Sequence, residues 1–204
     1  TEGTTLDFLL IGPGSGRGYE ALAWSHARPS DVHKALEGAC YTLGHVDDPA
    51  LLGRTFDTVQ ALIKSDHVAA GHDRSDGGLI TTLLEMAFAG NCGLEVDLPV
   101  ADAIEDPLGV LFAEELGLVL EVDVDQLNHV LTVFEKAEIP CLEIGRTIAE
   151  PRVRIRVGGA EVLDEDTRAL RDLWEATSFQ LDRLQADPGC VAEESGGLSQ
   201  RRAP

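Results

Sequence analysis

The densest chemistry in the chain lies in Gly71-His72-Asp73-Arg74-Ser75-Asp76-Gly77-Gly78-Leu79. This stretch joins two carboxylates, an imidazole, a guanidinium and a hydroxyl to a pair of glycines. Asp73 and Asp76 offer oxygen ligands of the kind a divalent cation prefers. Glycines let the backbone come close to a ligand. If a helix starts at Gly77-Gly78, its first amides have no intrahelical acceptor and point at whatever sits there. The composite is a candidate site for a metal-bound phosphate. A second reading needs no ligand: Ser75 or Asp76 caps the helix and the glycines only make the turn.

Both readings need a strand before the turn and a helix after it. Val68-Ala69-Ala70 is a short apolar run that supplies the strand. Ile80, Leu83, Leu84, Ala87 and Phe88 fall at the i, i+3, i+4, i+7, i+8 spacing of one buried helical face, ending at Gly90. Elsewhere strands are predicted over 6–11, 93–98, 117–122, 140–145 and 152–157. A Gly158-Gly159 hairpin turn and a return strand over 160–163 follow. Helices are predicted over 19–26, from Pro49 with Asp48 as cap, and over 108–115, 125–137 and 167–184. The helix from Pro49 is expected to bury Leu52, Phe56, Val59 and Ile63, and the one over 125–137 to turn Leu127, Val130, Leu131 and Phe134 inward. The alternation of helices and strands, with a late hairpin, favours a layered α/β domain of the α+β class: a mixed sheet covered by helices. The segment Gly18 to Val46 has weak periodicity and several breakers, and is expected to be the least ordered internal part.

Other constellations carry less. Gly16-x-Gly18-x-x-Ala21 satisfies a dinucleotide fingerprint in form, but Pro13 breaks its start and no acid-tipped second strand follows at the required distance. No Gly-Lys-Ser/Thr triplet occurs. Glu114 and Glu115 stand before a strand, where paired acids serve acid/base or metal roles, or simply end a solvated helix. Arg152, Arg154 and Arg156 share one strand face, either as a phosphate-facing ladder or as a solvent face. Of the six histidines only His72 is placed beside candidate chemistry. Cys40, Cys92, Cys141 and Cys190 form no Cys-x-x-Cys pair and read as reduced thiols of a cytosolic protein.

The net charge of −20, from 36 acids against 16 Lys and Arg, argues against nucleic acid or an anionic membrane as the main partner. Any phosphate site must then be built locally. No apolar run approaches the ~20 residues of a membrane span.

Three longer motifs add a resemblance. Gly71 to Leu79 is followed by Leu84-Glu85-Met86-Ala87-Phe88-Ala89-Gly90-Asn91-Cys92-Gly93. Then come Leu111-Phe112-Ala113-Glu114-Glu115-Leu116-Gly117 and Leu173-Trp174-Glu175-Ala176-Thr177-Ser178-Phe179-Gln180-Leu181-Asp182-Arg183-Leu184-Gln185. Together, over about Asp47 to Gly197, they resemble the large form of phosphoribosylformylglycinamidine synthase. Where that family has Gly-Gly-Ser/Thr-Ala-Leu-Ala-Gln, this chain has Gly18-Tyr19-Glu20-Ala21-Leu22-Ala23-Trp24, and Ser25 to Val46 matches poorly.

The resemblance implies a fold of the aminoimidazole-ribonucleotide-synthetase C-terminal type. It also implies membership of a purine-biosynthesis ligase, an ATP-dependent glutamine amidotransferase that converts formylglycinamide ribonucleotide to formylglycinamidine ribonucleotide. The Ser-Asp-Gly-Gly form of the turn is similar to the second of that family's two tandem halves. Residues 1–165 would be its C-terminal synthetase-like domain, and 166–204 a helix and linker towards a glutaminase. The implied cofactors are ATP or ADP and Mg2+, with Asp73 on the metal side and Ser75, Gly77 and Gly78 on the phosphate side. No catalytic residue is expected. The implied partners are the remaining domains of the same chain and a small-molecule nucleotide, without nucleic acid or membrane, in the cytoplasm. The fragment alone is expected to be inactive. The alternative is a nucleotide-binding module of a related type, such as a selenophosphate synthetase or thiamine-phosphate kinase, against which the Trp174 to Gln185 motif argues.

Overall fold

The computed structural model describes residues 6–11 by their backbone, and residues 49–74, 76–99, 107–114 and 116–198. Among these are seven strands and six helices. They are β1 Leu6–Ile11, α1 Pro49–Lys64, β2 Ala70–Asp73, α2 Gly78–Gly90, β3 Gly93–Leu98, α3 Pro107–Phe112, β4 Leu118–Asp123, α4 Leu127–Lys136, β5 Cys141–Ile148, β6 Arg152–Val157, β7 Ala160–Asp166, α5 Thr167–Gln185 and α6 Pro188–Leu198. The expected helix over 19–26, the Gly16-x-Gly18 loop, the order of Gly18 to Val46, Ser75, Glu115 and Cys40 lie outside the described residues.

The strands form one sheet in the order β2-β4-β1-β5-β3-β6-β7. Only β3 and β6 pair parallel; every other neighbour is antiparallel. The architecture is thus the expected mixed sheet with helices, of the α+β class. The Gly158-Gly159 turn, at φ +59° and +78°, joins β6 to β7 as a hairpin.

Strand alternation splits the core. Val119 of β4 packs with Leu79 and Leu83 of α2, Val110 and Leu111 of α3, and the inward rows of β3 and β6. Leu120 and Val122 of the same strand pack the other way, with Val59 and Leu62 of α1 and Val130 and Phe134 of α4. The sheet therefore carries helices on both faces. Towards its β6–β7 edge the second face is charged instead: Arg146 meets Glu95 at 2.9 Å, and Arg154 meets Glu150 at 2.7 Å.

One helix is rotated from expectation. α1 buries Thr55, Val59 and Leu62, not the Leu52, Phe56, Val59, Ile63 stripe. The two stripes share Val59, so periodicity alone does not choose between them. The sheet takes the Leu62 side, and Phe56 stays 63% exposed. In α4, Val130 and Phe134 are buried while Leu127 and Leu131 are half-buried.

Candidate functional site

The turn between β2 and α2 is built from both directions. Among the described residues β2 is an edge strand paired with β4 alone, with Asp73 opposite Leu118 at its end. Arg74 then turns the chain: its backbone N–H donates to the Gly117 carbonyl at 2.8 Å, and its buried guanidinium donates through Nε to the Ala113 carbonyl at 2.8 Å. The Thr82 hydroxyl of α2 lies 3.1 Å from the Asp73 carbonyl and 3.2 Å from that of Gly78. Strand end and helix start are thereby tied to one another.

The helix cap differs from expectation. Gly77, which has no side chain to cap with, occupies the cap position at φ +83°, and Ser75 lies outside the described residues. Asp76 is not the cap. Left-handed backbone at Gly77 and Gly78 puts a residue without a side chain there. The capping carboxylate arrives from across the fold: Glu114 Oε1 accepts the Gly77 N–H at 2.8 Å. A carboxylate at a helix N-terminus is also favoured by the helix dipole. Glu114 is therefore neither a solvated helix end nor an isolated acid. It follows α3, and Gly78 explains why α3 can come so close. A Cβ on Gly78 would stand 2.6 Å from the Phe112 carbonyl carbon.

Asp73 is 69% exposed. It lines an open groove of about 720 Å³ with Phe56, Ile63, Val68, His72 and Leu118. Among the described residues lining the groove, Asp73 and His72 are the ionisable ones. His72 Nδ1 lies 2.7 Å from the Asp73 carbonyl and 3.4 Å from its carboxylate, and Nε2 lies 3.0 Å from Glu85 Oε2. Among the described residues no group of three or more His, Cys, Asp or Glu could hold a metal ion by itself. A cation here would have Asp73 as its protein ligand and would take the rest from elsewhere, an arrangement familiar for magnesium bound to phosphates.

The other candidates lie elsewhere. The arginine ladder is on β6, at the opposite side of the sheet from β2. Arg152 and Arg154 are engaged in ion pairs: Arg152 Nε meets Asp164 Oδ1 at 2.5 Å, and the Arg152 hydrogen bond holds the Asp164 carboxyl below its usual range. Cys92, Cys141 and Cys190 are free thiols. Burial, then the nearby Glu121 charge, pushes the Cys92 thiol up to about 11. Burial pushes that of Cys141 up to about 12. Neither is a competent nucleophile at neutral pH.

Sequence reasoning missed Glu85, Trp174 and the roles of Arg74 and Glu114 in holding the turn. One signal was available for Glu85: it is the one charged residue in α2. Arg74 and Glu114 act across distant sequence positions, and no spacing rule joins them.

A mixed sheet flanked by helices, with a glycine turn after an edge strand, defines an architecture shared with known proteins. The chain belongs to the family described as AIR synthase related protein, C-terminal domain, whose model matches residues 8–158. The match begins well before Asp47, where the motif resemblance began. Over 162 residues the chain is 56% identical to the phosphoribosylformylglycinamidine synthase of Homo sapiens, covering 78% of this chain but 12% of that protein. It is 45% identical over 159 residues to the probable phosphoribosylformylglycinamidine synthase, chloroplastic/mitochondrial, of Arabidopsis thaliana, covering 78% of this chain and 11% of that protein. The chain thus spans a small part of the relatives it matches. Among solved structures it resembles T. maritima PurL complexed with ATP, at a TM-score of 0.63 and 16% identity, covering 83% of this chain and 26% of that one. The same protein complexed with FGAR gives 0.62 at 16% identity, covering 83% and 28%. At that identity these structures bear on the fold. Among the described residues no helix is long and apolar enough to cross a membrane.

Proposed function

We propose that this chain is the second C-terminal synthetase-like domain of a phosphoribosylformylglycinamidine synthase. In that role it serves purine biosynthesis within an ATP-dependent glutamine amidotransferase of the cytoplasm. Residues 1–165 form the domain, and 166–204 lead towards the glutaminase. The 56% identity to the human synthase supports the assignment most directly.

Within that protein the domain supplies half of a magnesium–nucleotide site, probed by one observation above others. Asp73 stands at a strand end, exposed to an open groove, with its backbone pinned by Thr82 and Arg74. In this reading Asp73 is the metal-side residue, and Ser75, Gly77 and Gly78 face phosphate. Magnesium, when bound, neutralises phosphate charge that would otherwise repel Asp73. The Gly77 amide now donates to Glu114, so a phosphate taking that amide exchanges one anion for another. The site is structural rather than catalytic, and the fragment alone has no synthase activity.

The test uses the full-length protein. Asp73→Asn lowers retained nucleotide and lowers the melting temperature with it, because a ligand bound only to the folded state stabilises that state. Unchanged nucleotide content together with unchanged melting sinks the reading.

A further inference from the structure

The lone charge of α2 joins two elements that the sequence does not connect. Glu85 Oε2 lies 3.0 Å from His72 Nε2 on β2, and Glu85 Oε1 accepts a hydrogen bond from Trp174 Nε1 on α5 at 3.1 Å. His72 Nδ1 in turn lies 2.7 Å from the carbonyl of Asp73. A path of polar contacts therefore runs from α5, across α2, to the strand end that carries Asp73.

The α5 end of this path also packs on the core through partly buried Leu170. Thr167 alone among the α5 residues is buried. The Trp174 ring packs tilted against Phe88 with centroids 5.7 Å apart, and Arg171 Nη1 donates to the Phe88 carbonyl at 3.4 Å. An indole N–H is a donor only, so it commits one oxygen of Glu85 and leaves the other for His72. His72 and Glu85 are 30% and 29% exposed, enough shelter for the geometry to persist while still meeting solvent.

We propose that Glu85 is a positioning residue for the Asp73 turn, gripping His72 with one oxygen and Trp174 with the other, so that the seating of α5 fixes the strand end. The consequence for nucleotide binding rests on the reading of Asp73 as the metal-side residue; the coupling itself does not. Glutamine at position 85 preserves the path with its polarity reversed. Its amide oxygen accepts from Trp174, and its amide N–H donates to His72 Nε2, while Nδ1–H faces the Asp73 carbonyl. Alanine breaks the path at both ends.

The experiment measures hydrogen exchange by mass spectrometry in the full-length protein, over peptides covering residues 71–78 and, as an internal reference, β3. Trp174→Phe keeps an aromatic ring beside Phe88 while removing the N–H together with part of the indole, so the Glu85 variants carry the separation of hydrogen bond from packing. Trp174→Phe and Glu85→Ala should each speed exchange at the turn about tenfold, the weight of one hydrogen bond on a local opening, with β3 unchanged. Glu85→Gln should stay within about twofold of wild type, a rescue that mere filling of space does not predict. Trp174→Phe with unchanged exchange at the turn overturns the coupling, as does Glu85→Gln as fast as Glu85→Ala. Retained nucleotide is measured in the same samples beside Asp73→Asn. If Asp73→Asn keeps its nucleotide while Trp174→Phe still loosens the turn, the metal reading fails and the coupling stands.

Discussion

Gly78→Ala separates a packing role of the glycine turn from a ligand role. The added Cβ would stand 2.6 Å from the Phe112 carbonyl carbon and 2.8 Å from both the Leu111 oxygen and the Phe112 Cα. All three are backbone atoms, so no side chain can rotate aside. α3 cannot retreat freely either, because Val110 and Leu111 sit in the core. Overpacking of this kind costs about 1–3 kcal/mol. The φ of +73° adds left-handed strain of about 1–2 kcal/mol for a residue with a Cβ. Gly159 provides the control: its φ is +78°, but nothing lies within 4 Å of its Cβ position. Gly159→Ala should show the strain alone. Urea unfolding of the ligand-free protein should place Gly78→Ala below Gly159→Ala by about 1–3 kcal/mol, the clash alone. Equal losses would refute the packing argument. Gly78 would then be needed only where a ligand approaches the backbone.

Two further predictions follow from burial. Burial raises the Glu121 carboxyl above its usual value, so the folded protein holds that proton more tightly than the unfolded chain. Stability from this group is present below the unfolded value and lost as pH rises through the folded one. Glu121→Gln should therefore raise the melting temperature at pH 7 and leave it unchanged near pH 3; thermal melts at both pH values check this, and a lower melt at pH 7 would refute it. Thiol labelling at pH 8, read site by site by mass spectrometry, should modify exposed Cys190 first and leave Cys92 and Cys141 largely unmodified, since thiols at about 11 and about 12 hold almost no thiolate there. Equal rates would contradict the burial account.

Local chemistry made much of this fold legible in the sequence. β1, β3 and β6 fall on the predicted residues because alternation and flanking glycines bound them tightly. α2 ends at Gly90 as predicted. The face of α1 was not legible: both candidate stripes are helical in period, and only the sheet beneath decides that Leu62 goes in and Phe56 does not. The same limit applies to the turn. The glycines and acids announced it, but Asp76 looked like its cap because capping rules are local. The actual carboxylate, Glu114, comes from 37 residues away. The arginine ladder shows the converse, since its partner Asp164 is brought opposite by the hairpin register.

Charge bears directly on what the β2–α2 turn can accept. The carboxylates of Asp73, Glu85 and Glu114 surround it, in a chain of net charge −20. The guanidinium within the motif, Arg74, is buried and directed at the Ala113 carbonyl, so its position serves the turn's architecture. The helix N-terminus offers a favourable dipole, but Glu114 already sits on its Gly77 amide. An anionic ligand arriving unaccompanied meets repulsion from Asp73 and competition from Glu114. In the proposed site a divalent cation would change both conditions, since it would turn Asp73 from an obstacle into a ligand and lower the charge of a phosphate competing with Glu114. If the proposed magnesium–nucleotide site is right, nucleotide affinity at the turn should depend more on magnesium than on Arg74, and Glu114 should set how much of that affinity is spent in exchanging one anion for another.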